Sequence, residues 1–446
     1  MTVREFVIKE SLRRGRRIKV GLIGLGKTNR AVYERIFDIC EITVRSDRQE
    51  RLPHPAIKKF GDGYLDGIYE DVLFLSPSVR RDLPQLRAAS ANGTLITSEC
   101  EVFFRSSGTD GRKIFGVTGS DGKTTVTAMA SEMLSAAAVG NIGIPFSERE
   151  GEDAYVCELS SFNLCGFKPH TVASVITSLS PNHLNWHTDL SEYYSAKLGL
   201  LEGAGRAVIH AGGDCLPFLG KADTLFSCEM TGNELFALGA RHAVHIDGGF
   251  ICYDGAPIIA VSELMLKERH NILNFMAALG LCHGFATAER IREVGMGFCP
   301  PHHRCERVHV SKSGTVFINS SIDTTPTRTA TTLSGLDRSV FLILGGRGKG
   351  LSPLPLLLPV ARYATAVLAY GEFGREICEF LKGDGRTSTI PVIFRERLSD
   401  GLYELKSAVA DGDTVLLSPA ATAYGEFENF EKRGAFFTEF VKKHFP

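Results

Sequence analysis

The chain has 446 residues, 43% of them hydrophobic, which is enough to bury several cores, and its length suggests two to four domains rather than one. A formal net charge of -1 argues against an electrostatic nucleic-acid binder, and no apolar run approaches the roughly 20 residues of a membrane span, so neither nucleic acid nor membrane insertion is expected. Eleven scattered cysteines, without a CxxC pair, suit free thiols in a reducing cytosol, and the charged start MTVREFVIKESLRRGRRIKV has no apolar signal segment; a cytoplasmic protein is expected.

Short β-branched apolar runs alternate with longer helical patterns, an order that predicts parallel α/β sheets. The first series opens at IKVGLIGLG (18–26), a strand entering a glycine turn, followed by NRAVYERIF as a helix and EITVRSD as a second strand. A second series starts at IFGVTG and runs through AYVCELS, VASVITSLS and RAVIHAGGD. A third opens after PHHRCERV, with strands at TVFINSS, VFLILGG, AVLAYGE, PVIFRE and TVLLSPA. Three α/β modules result, 1–97, 98–303 and 304–446, the first and third doubly wound in character.

In the first module Gly24 and Gly26 close a strand and Asp47 follows about 20 residues later, the outline of a dinucleotide fingerprint with Asn29 at its third glycine position. NAD binding and a plain strand-to-helix turn both fit; either leaves a helix N-terminus suited to a phosphate. The stretch GVTGSDGKTT (116–125) carries more. It departs from the commonest phosphate loop, since Val117 stands six places before the lysine, yet Gly116, Gly119 and Gly122 recur every third residue before Lys123. An apolar strand before it and the helical TTVTAMASEML after it make a helix N-terminus where glycines admit an anion to backbone N–H groups. Lys123 would meet β- and γ-phosphates, and Thr124 would offer a hydroxyl to Mg²⁺.

Seven stretches, GVTGSDGKTT, CELSSFNL, SLSPNHLNWHTDLSEYYSAKLGL, RHNILNFMAAL, HRCERV, FLILGGRGKG and LLSPAATAYGEFENFEKRG, stand in the order and approximate spacing of the Mur ligase family, which the chain resembles over nearly its whole length. The last two resemble the branch that adds D-glutamate to UDP-N-acetylmuramoyl-L-alanine in peptidoglycan precursor synthesis. The resemblance implies an N-terminal Rossmann-like UDP-binding module, a central P-loop-type ATPase with a mostly parallel sheet, and a C-terminal Rossmann-like module that takes the amino acid. It implies ATP and Mg²⁺, a monomer, and a substrate carboxylate that attacks the γ-phosphate to give an acyl phosphate, which the amine of D-glutamate displaces. Two anions must approach each other, so the site needs cations.

Residue by residue, the resemblance places catalysis on Lys123, Glu158, His183 and Lys197, and metal ligation on Thr124, Glu158, His183 and a carbamylated Lys197, whose carbamate replaces a repelling ammonium by an anionic ligand. ATP would be held by Gly119, Asp121, Gly122, Lys123, Thr124, Thr125, Asn271 beside His270, and Arg304 beside His303. The UDP substrate would be held by Gly26, Lys27, Thr28, Asp47, Arg48, Ser76, Asn141 and Ser160, and D-glutamate by Thr324, Lys349, Thr422 and Phe430.

The chain also departs from the family pattern. Ser320 and Ile322 replace the Asp and Lys of Asp-Ser-Lys-Ala-Thr-Asn, removing a phosphate-facing cation that Arg328 could restore. Asn182 and Asn185 stand for aspartates around His183, Ala423 for a serine beside Thr422, Glu268 for a glycine, and Ser78 for the glycine of Ser-Pro-Gly. Open at this stage are a Mur-type ligase for another amino acid and a degenerate relative that only binds nucleotide or UDP-sugar. Retention of Lys123, Glu158, His183 and Lys197 together favours the enzyme, and the absence of an Asp-Asn-Pro-Arg stretch disfavours the diaminopimelate-adding relatives.

Overall fold

The computed structural model describes residues 1–52, 54–105, 111–184, 186–299, 302–336 and 338–446. It packs as two compact units, Met1–Phe298 and Cys299–Pro446. Among the described residues three sheets carry the fold, two in the first unit and one in the second.

The first sheet is parallel throughout, with spatial order Ile57–Phe60, Glu41–Ser46, Lys19–Ile23, Val72–Leu75, Leu95–Thr97. The chain runs outward from Lys19–Ile23 in one direction and then returns to its other side at Val72–Leu75, so the two neighbours diverge at a topological switch point, the place where such sheets bind ligands. Its central strands are buried on both faces, which is why they read as continuous apolar runs rather than alternating ones. The sheet ends at Thr97, and Ser98 caps the next helix, Glu99–Phe104, by accepting the Glu101 N–H at 3.2 Å.

The central sheet has nine strands, ordered Ala256–Ala260, Phe250–Tyr253, His242–Asp247, Thr224–Phe226, Ala207–His210, Ala173–Ile176, Lys113–Thr118, Ala154–Glu158, Ala137–Gly140. Only the pairs among the first three strands are antiparallel. The helix Lys123–Leu134 packs on one face against Arg269–Cys282, around Val126, Met129, Phe275 and Met276. The helix Leu190–Glu202 packs on the other face, and its capping residue Asp189 accepts the Glu192 N–H at 2.8 Å.

The unit Cys299–Pro446 carries a six-stranded sheet ordered Glu306–Val310, Val316–Asn319, Thr414–Leu417, Val340–Gly345, Ala364–Tyr370, Val392–Arg395. All pairs but the first are parallel. In each sheet the parallel strands deliver their C-terminal ends, and the loops that follow, to one edge.

Candidate active site

The loop Gly119–Gly122 leaves the strand Lys113–Thr118 between the ends of Ala154–Glu158 and Ala173–Ile176. Glycine is favoured at two of its positions. Gly119 (φ 149°) sits where a Cβ would fall 2.0 Å from Thr177 Oγ1, and Gly122 (φ 79°) where one would fall 2.2 Å from Asn274 Oδ1. Both conformations disfavour an L side chain, and a Cβ would have to displace the Thr177 side chain at Gly119 or the Asn274 side chain at Gly122. Gly122 opens the helix Lys123–Leu134 and supplies no side-chain cap of its own. The loop is pinned from behind: Asp121 N–H donates to Ser178 Oγ at 3.0 Å, Ser120 Oγ donates to Ser180 O at 2.9 Å, and Thr177 donates to Asp121 O.

Two lysine side chains converge on this loop. Lys123 Nζ donates to Gly119 O at 2.9 Å and Ser120 O at 2.8 Å, while Lys197 Nζ donates to the same Gly119 O at 2.7 Å. Lys197 is 2% exposed and lies over the Tyr193 ring at 4.7 Å. Burial drives its pKa well below the usual lysine value and Lys123 pushes the same way, whereas Asp121 and Glu158 pull it back up.

Glu158 ends its strand 1% exposed. Asn141 Nδ2 donates to its Oε1 at 2.8 Å, and among the described residues its buried Oε2 has no hydrogen-bond partner. A buried carboxylate oxygen left bare is costly unless a cation takes it, so the donor set fits a hard divalent ion. His183 stands exposed at the crest of a turn with φ 55°, edge-on to Phe162 at 5.0 Å. Thr124 and Thr125 begin the helix after Lys123. Asn182 N-caps nothing helical; its Oδ1 accepts the His183 N–H at 2.8 Å, and Asn185 lies outside the described residues. Asn271 and His270 occupy the first turn of Arg269–Cys282, where Asn271 Nδ2 donates to Glu268 Oε2 at 3.1 Å and Asn274 reaches Asn271 at 3.4 Å.

Of the residues assigned to the sugar nucleotide, Gly26, Lys27, Thr28, Asp47, Arg48 and Ser76 follow the C-terminal ends of first-sheet strands at its switch point, and Asn141 and Ser160 follow strands of the central sheet. Gly26 precedes the helix Lys27–Ile36, whose opening residues are Lys27 and Thr28; Asp47 and Arg48 follow Glu41–Ser46; Ser76 follows Val72–Leu75. A Cβ at Gly143 would lie 3.6 Å from Lys27 Nζ, so the turn carrying Asn141 passes beside this switch point. Ser160 caps the short helix Ser161–Leu164 and accepts the Asn163 N–H at 3.2 Å. Asn29 does not leave a gap in a fingerprint: fully buried, its Nδ2 reaches Ile23 O, Gly24 O and Phe74 O at 3.1, 2.8 and 3.2 Å and braces the two strands of the switch point.

In Cys299–Pro446, Lys349 Nζ donates to Thr324 Oγ1 at 3.1 Å, joining two residues that sequence assigned together. The Lys349 ammonium is pushed below its usual pKa by loss of hydration, then by Arg328 and Arg433. Arg328 Nη1 lies 3.5 Å from Ile322 O. The Thr422 hydroxyl donates to Arg347 O at 2.8 Å. Phe430 begins the last helix, its carbonyl accepting the Ser321 hydroxyl at 2.8 Å, with its ring edge-on to His303 at 6.4 Å. His303 (φ 65°) accepts the Asn319 amide at 3.0 Å, and Arg304 follows it. The sequence reading missed Arg433, fully buried in that helix's first turn and donating to Ser321 O, Ala421 O and the Tyr370 hydroxyl at 2.8, 3.0 and 3.3 Å. It also missed Thr177 and Asn274, which shape the phosphate loop; the positions of Gly119 and Gly122 were the available signal.

Known proteins resemble this chain over nearly its whole length. Residues 117–282 match the Mur ligase middle domain. The chain is 32% identical over 448 residues to the UDP-N-acetylmuramoylalanine--D-glutamate ligase of Clostridium novyi, covering 95% of this chain and 96% of that one. It is 32% identical, with the same coverage, to the protein of that name from Acetivibrio thermocellus. Among solved structures, UDP-N-acetylmuramate-alanine ligase MurC from Thermotoga maritima superposes with a TM-score of 0.60 at 18% identity over 96% of this chain and 99% of that one. MurF from Acinetobacter baumannii does so at 0.54 and 14%, over 95% and 93%. These two share the fold.

Proposed function

The chain belongs to the Mur ligase family, and on that premise we propose that it joins D-glutamate to UDP-N-acetylmuramoyl-L-alanine, driven by ATP, in peptidoglycan precursor synthesis. The observation that carries the ligase chemistry is the convergence of Lys123, Lys197 and the bare carboxylate oxygen of Glu158 around the glycine loop. The three modules 1–97, 98–303 and 304–446 would take UDP-sugar, ATP and amino acid in turn. The enzyme acts as a monomer in the cytoplasm; among the described residues no helix is long and apolar enough to cross a membrane.

The loop N–H groups and Lys123 receive the triphosphate, with Gly119, Asp121, Gly122, Thr124 and Thr125 around it and Asn271 and Arg304 as further contacts. The ammonium of Lys123, now held by two loop carbonyls, neutralises phosphate charge as the substrate carboxylate attacks. Thr124, Glu158, His183 and carbamylated Lys197 would hold Mg²⁺, which would supply the remaining positive charge that the two anions need. Burial disfavours the charged form of the Lys197 amine, and the neutral amine is the form that adds carbon dioxide: the nitrogen would bond to the carbon, one N–H proton would leave to water, and an anionic oxygen ligand would remain. Gly26, Lys27, Thr28, Asp47, Arg48, Ser76, Asn141 and Ser160 hold the sugar nucleotide. Thr324, Lys349, Thr422 and Phe430 hold D-glutamate, the Lys349 ammonium facing an acidic substrate.

Phosphate release tests this directly. With ATP, Mg²⁺ and UDP-N-acetylmuramoyl-L-alanine, a screen of amino acids should give release that depends on D-glutamate. Release supported best by a different amino acid would assign another ligase of the family, and no release with any would leave a binding protein.

A further inference from the structure

The side chain that ties the first sheet's ligand loop to the central sheet's metal-facing turn is one that nothing above assigns. Arg80 lies in the loop after Val72–Leu75, four residues beyond Ser76. All of its guanidinium N–H groups are engaged. Nε and Nη2 donate to Asp82 at 2.9 and 2.7 Å, Nη1 and Nη2 donate to the two oxygens of Glu192 at 3.1 Å each, and Nη1 donates to the Trp186 carbonyl at 2.7 Å. The same guanidinium lies over the Trp186 ring at 5.1 Å, and the indole N–H returns a bond to Ser78 O at 2.8 Å.

Those contacts reach the turn that carries His183. The N–H groups of Trp186 and His187 both donate to the His183 carbonyl at 3.0 Å, and Glu192 accepts the Thr188 N–H at 2.7 Å. His187 is 2% exposed; its Nε2 lies 2.9 Å from Ser161 Oγ and its Nδ1 3.3 Å from Glu192. Phe162, two residues after Ser160, packs against His183, Trp186 and His187 together. His183 itself is exposed and in a left-handed conformation, so its direction depends on how its turn is held.

We propose that Arg80 is a positioning residue: it fixes the loop bearing Ser76 and the turn bearing His183 in one geometry, so that the sugar nucleotide and the metal meet in register. The inference rests on the function proposed above. A planar fork suits this task because a lysine, a single point of charge, could not reach Asp82, Glu192 and a carbonyl at once.

Trp186 is the chain's only tryptophan, so its emission reports this contact without any turnover. In Arg80→Ala the emission should move to longer wavelength as the indole loses its cover. The kcat should fall by about tenfold or more, the scale expected when reacting groups are displaced. The Mg²⁺ concentration for half-maximal rate should rise at least about threefold, with KM for ATP within about twofold of wild type, because Arg80 makes no contact with the phosphate loop. Arg80→Lys should recover part of the rate, and Glu192→Gln should show the same split between Mg²⁺ and ATP; these two also decide the matter if Arg80→Ala does not fold. Unchanged emission would show that the contact does not hold the turn. Shifted emission with kcat and Mg²⁺ dependence unchanged would reduce Arg80 to structural glue, and either result overturns the proposal. Failure of the wild type to release phosphate with D-glutamate would instead refute the function, independently of the emission comparison.

Discussion

Lys197 is an amine placed where an ammonium is hardest to keep. It is 2% exposed, shares Gly119 O with Lys123, and is driven well below its usual pKa first by burial and then by that neighbour. Left unmodified, it would face a divalent cation with positive or at best neutral nitrogen; as a carbamate it supplies the oxygen such an ion prefers. Lys197→Ala should therefore lose nearly all activity, and acetate or formate should restore part of it by entering the vacated space. Wild-type activity should also fall when carbon dioxide is stripped at mildly acidic pH and return when bicarbonate is added. Full activity in Lys197→Ala, or loss without carboxylate rescue while Mg²⁺ still binds, would return this lysine to a purely structural part. Sequence alone identified Lys197 only through its motif, because a lysine in a helical pattern reads as solvated surface. What the pattern could not carry is that this helix buries Tyr193, Ala196, Lys197 and Leu200 together against the sheet.

At the scale of elements, the phosphate loop was the most legible feature, since strand, spaced glycines and helix each have a local cause. Its shape, however, is completed by Thr177 and by Asn274, far along the chain, and no spacing rule reveals such partners. Gly122→Ala tests that packing. An alanine there must adopt φ near 79° and displace the Asn274 side chain, whose Oδ1 would stand 2.2 Å from the new methyl group. The expected cost is about 1–3 kcal/mol, seen as a lower midpoint of thermal unfolding, together with a KM for ATP raised at least about tenfold. Adding Asn274→Ala should remove the clash but not the backbone strain, so the double variant should recover stability only in part. A wild-type KM in Gly122→Ala would deny the loop its nucleotide. Elsewhere the turn chemistry was present but passed over. Gly248-Gly249 and Asp254-Gly255 all have positive φ and join His242–Asp247, Phe250–Tyr253 and Ala256–Ala260 as tight antiparallel hairpins at the edge of an otherwise parallel sheet. Of those strands only His242–Asp247 mixes polar and apolar residues; Phe250–Tyr253 and Ala256–Ala260 are short apolar runs of the same kind as the parallel strands and were passed over with their turns.

The whole molecule packs as two units, so its unfolding is not expected to be a single transition, and each ligand or mutation should act on the unit that contains it. Glu99 offers a way to see this. Only 1% exposed at the start of the helix Glu99–Phe104, it accepts the Ser147 N–H at 2.8 Å and the Ser147 hydroxyl. Burial outweighs those bonds and pushes its pKa from 4.5 up to about 7. Below 4.5 the carboxyl is protonated in both folded and unfolded chains and costs nothing. As pH rises from there the unfolded chain ionises first, and the native state loses stability until the folded carboxyl also ionises near 7. Above that the full penalty stands, about 3 kcal/mol for a shift of this size. Glu99→Gln keeps the acceptor for Ser147 and carries no charge at any pH. Its midpoint should therefore exceed that of wild type by several degrees at pH 8 and match it near pH 4.5. Calorimetry should place the gain in the transition of Met1–Phe298, which holds both Glu99 and Ser147, and leave that of Cys299–Pro446 where it was. An equal shift at both pH values would mean that the glutamine acts through packing, and that the buried carboxyl is not what makes this unit sensitive to pH.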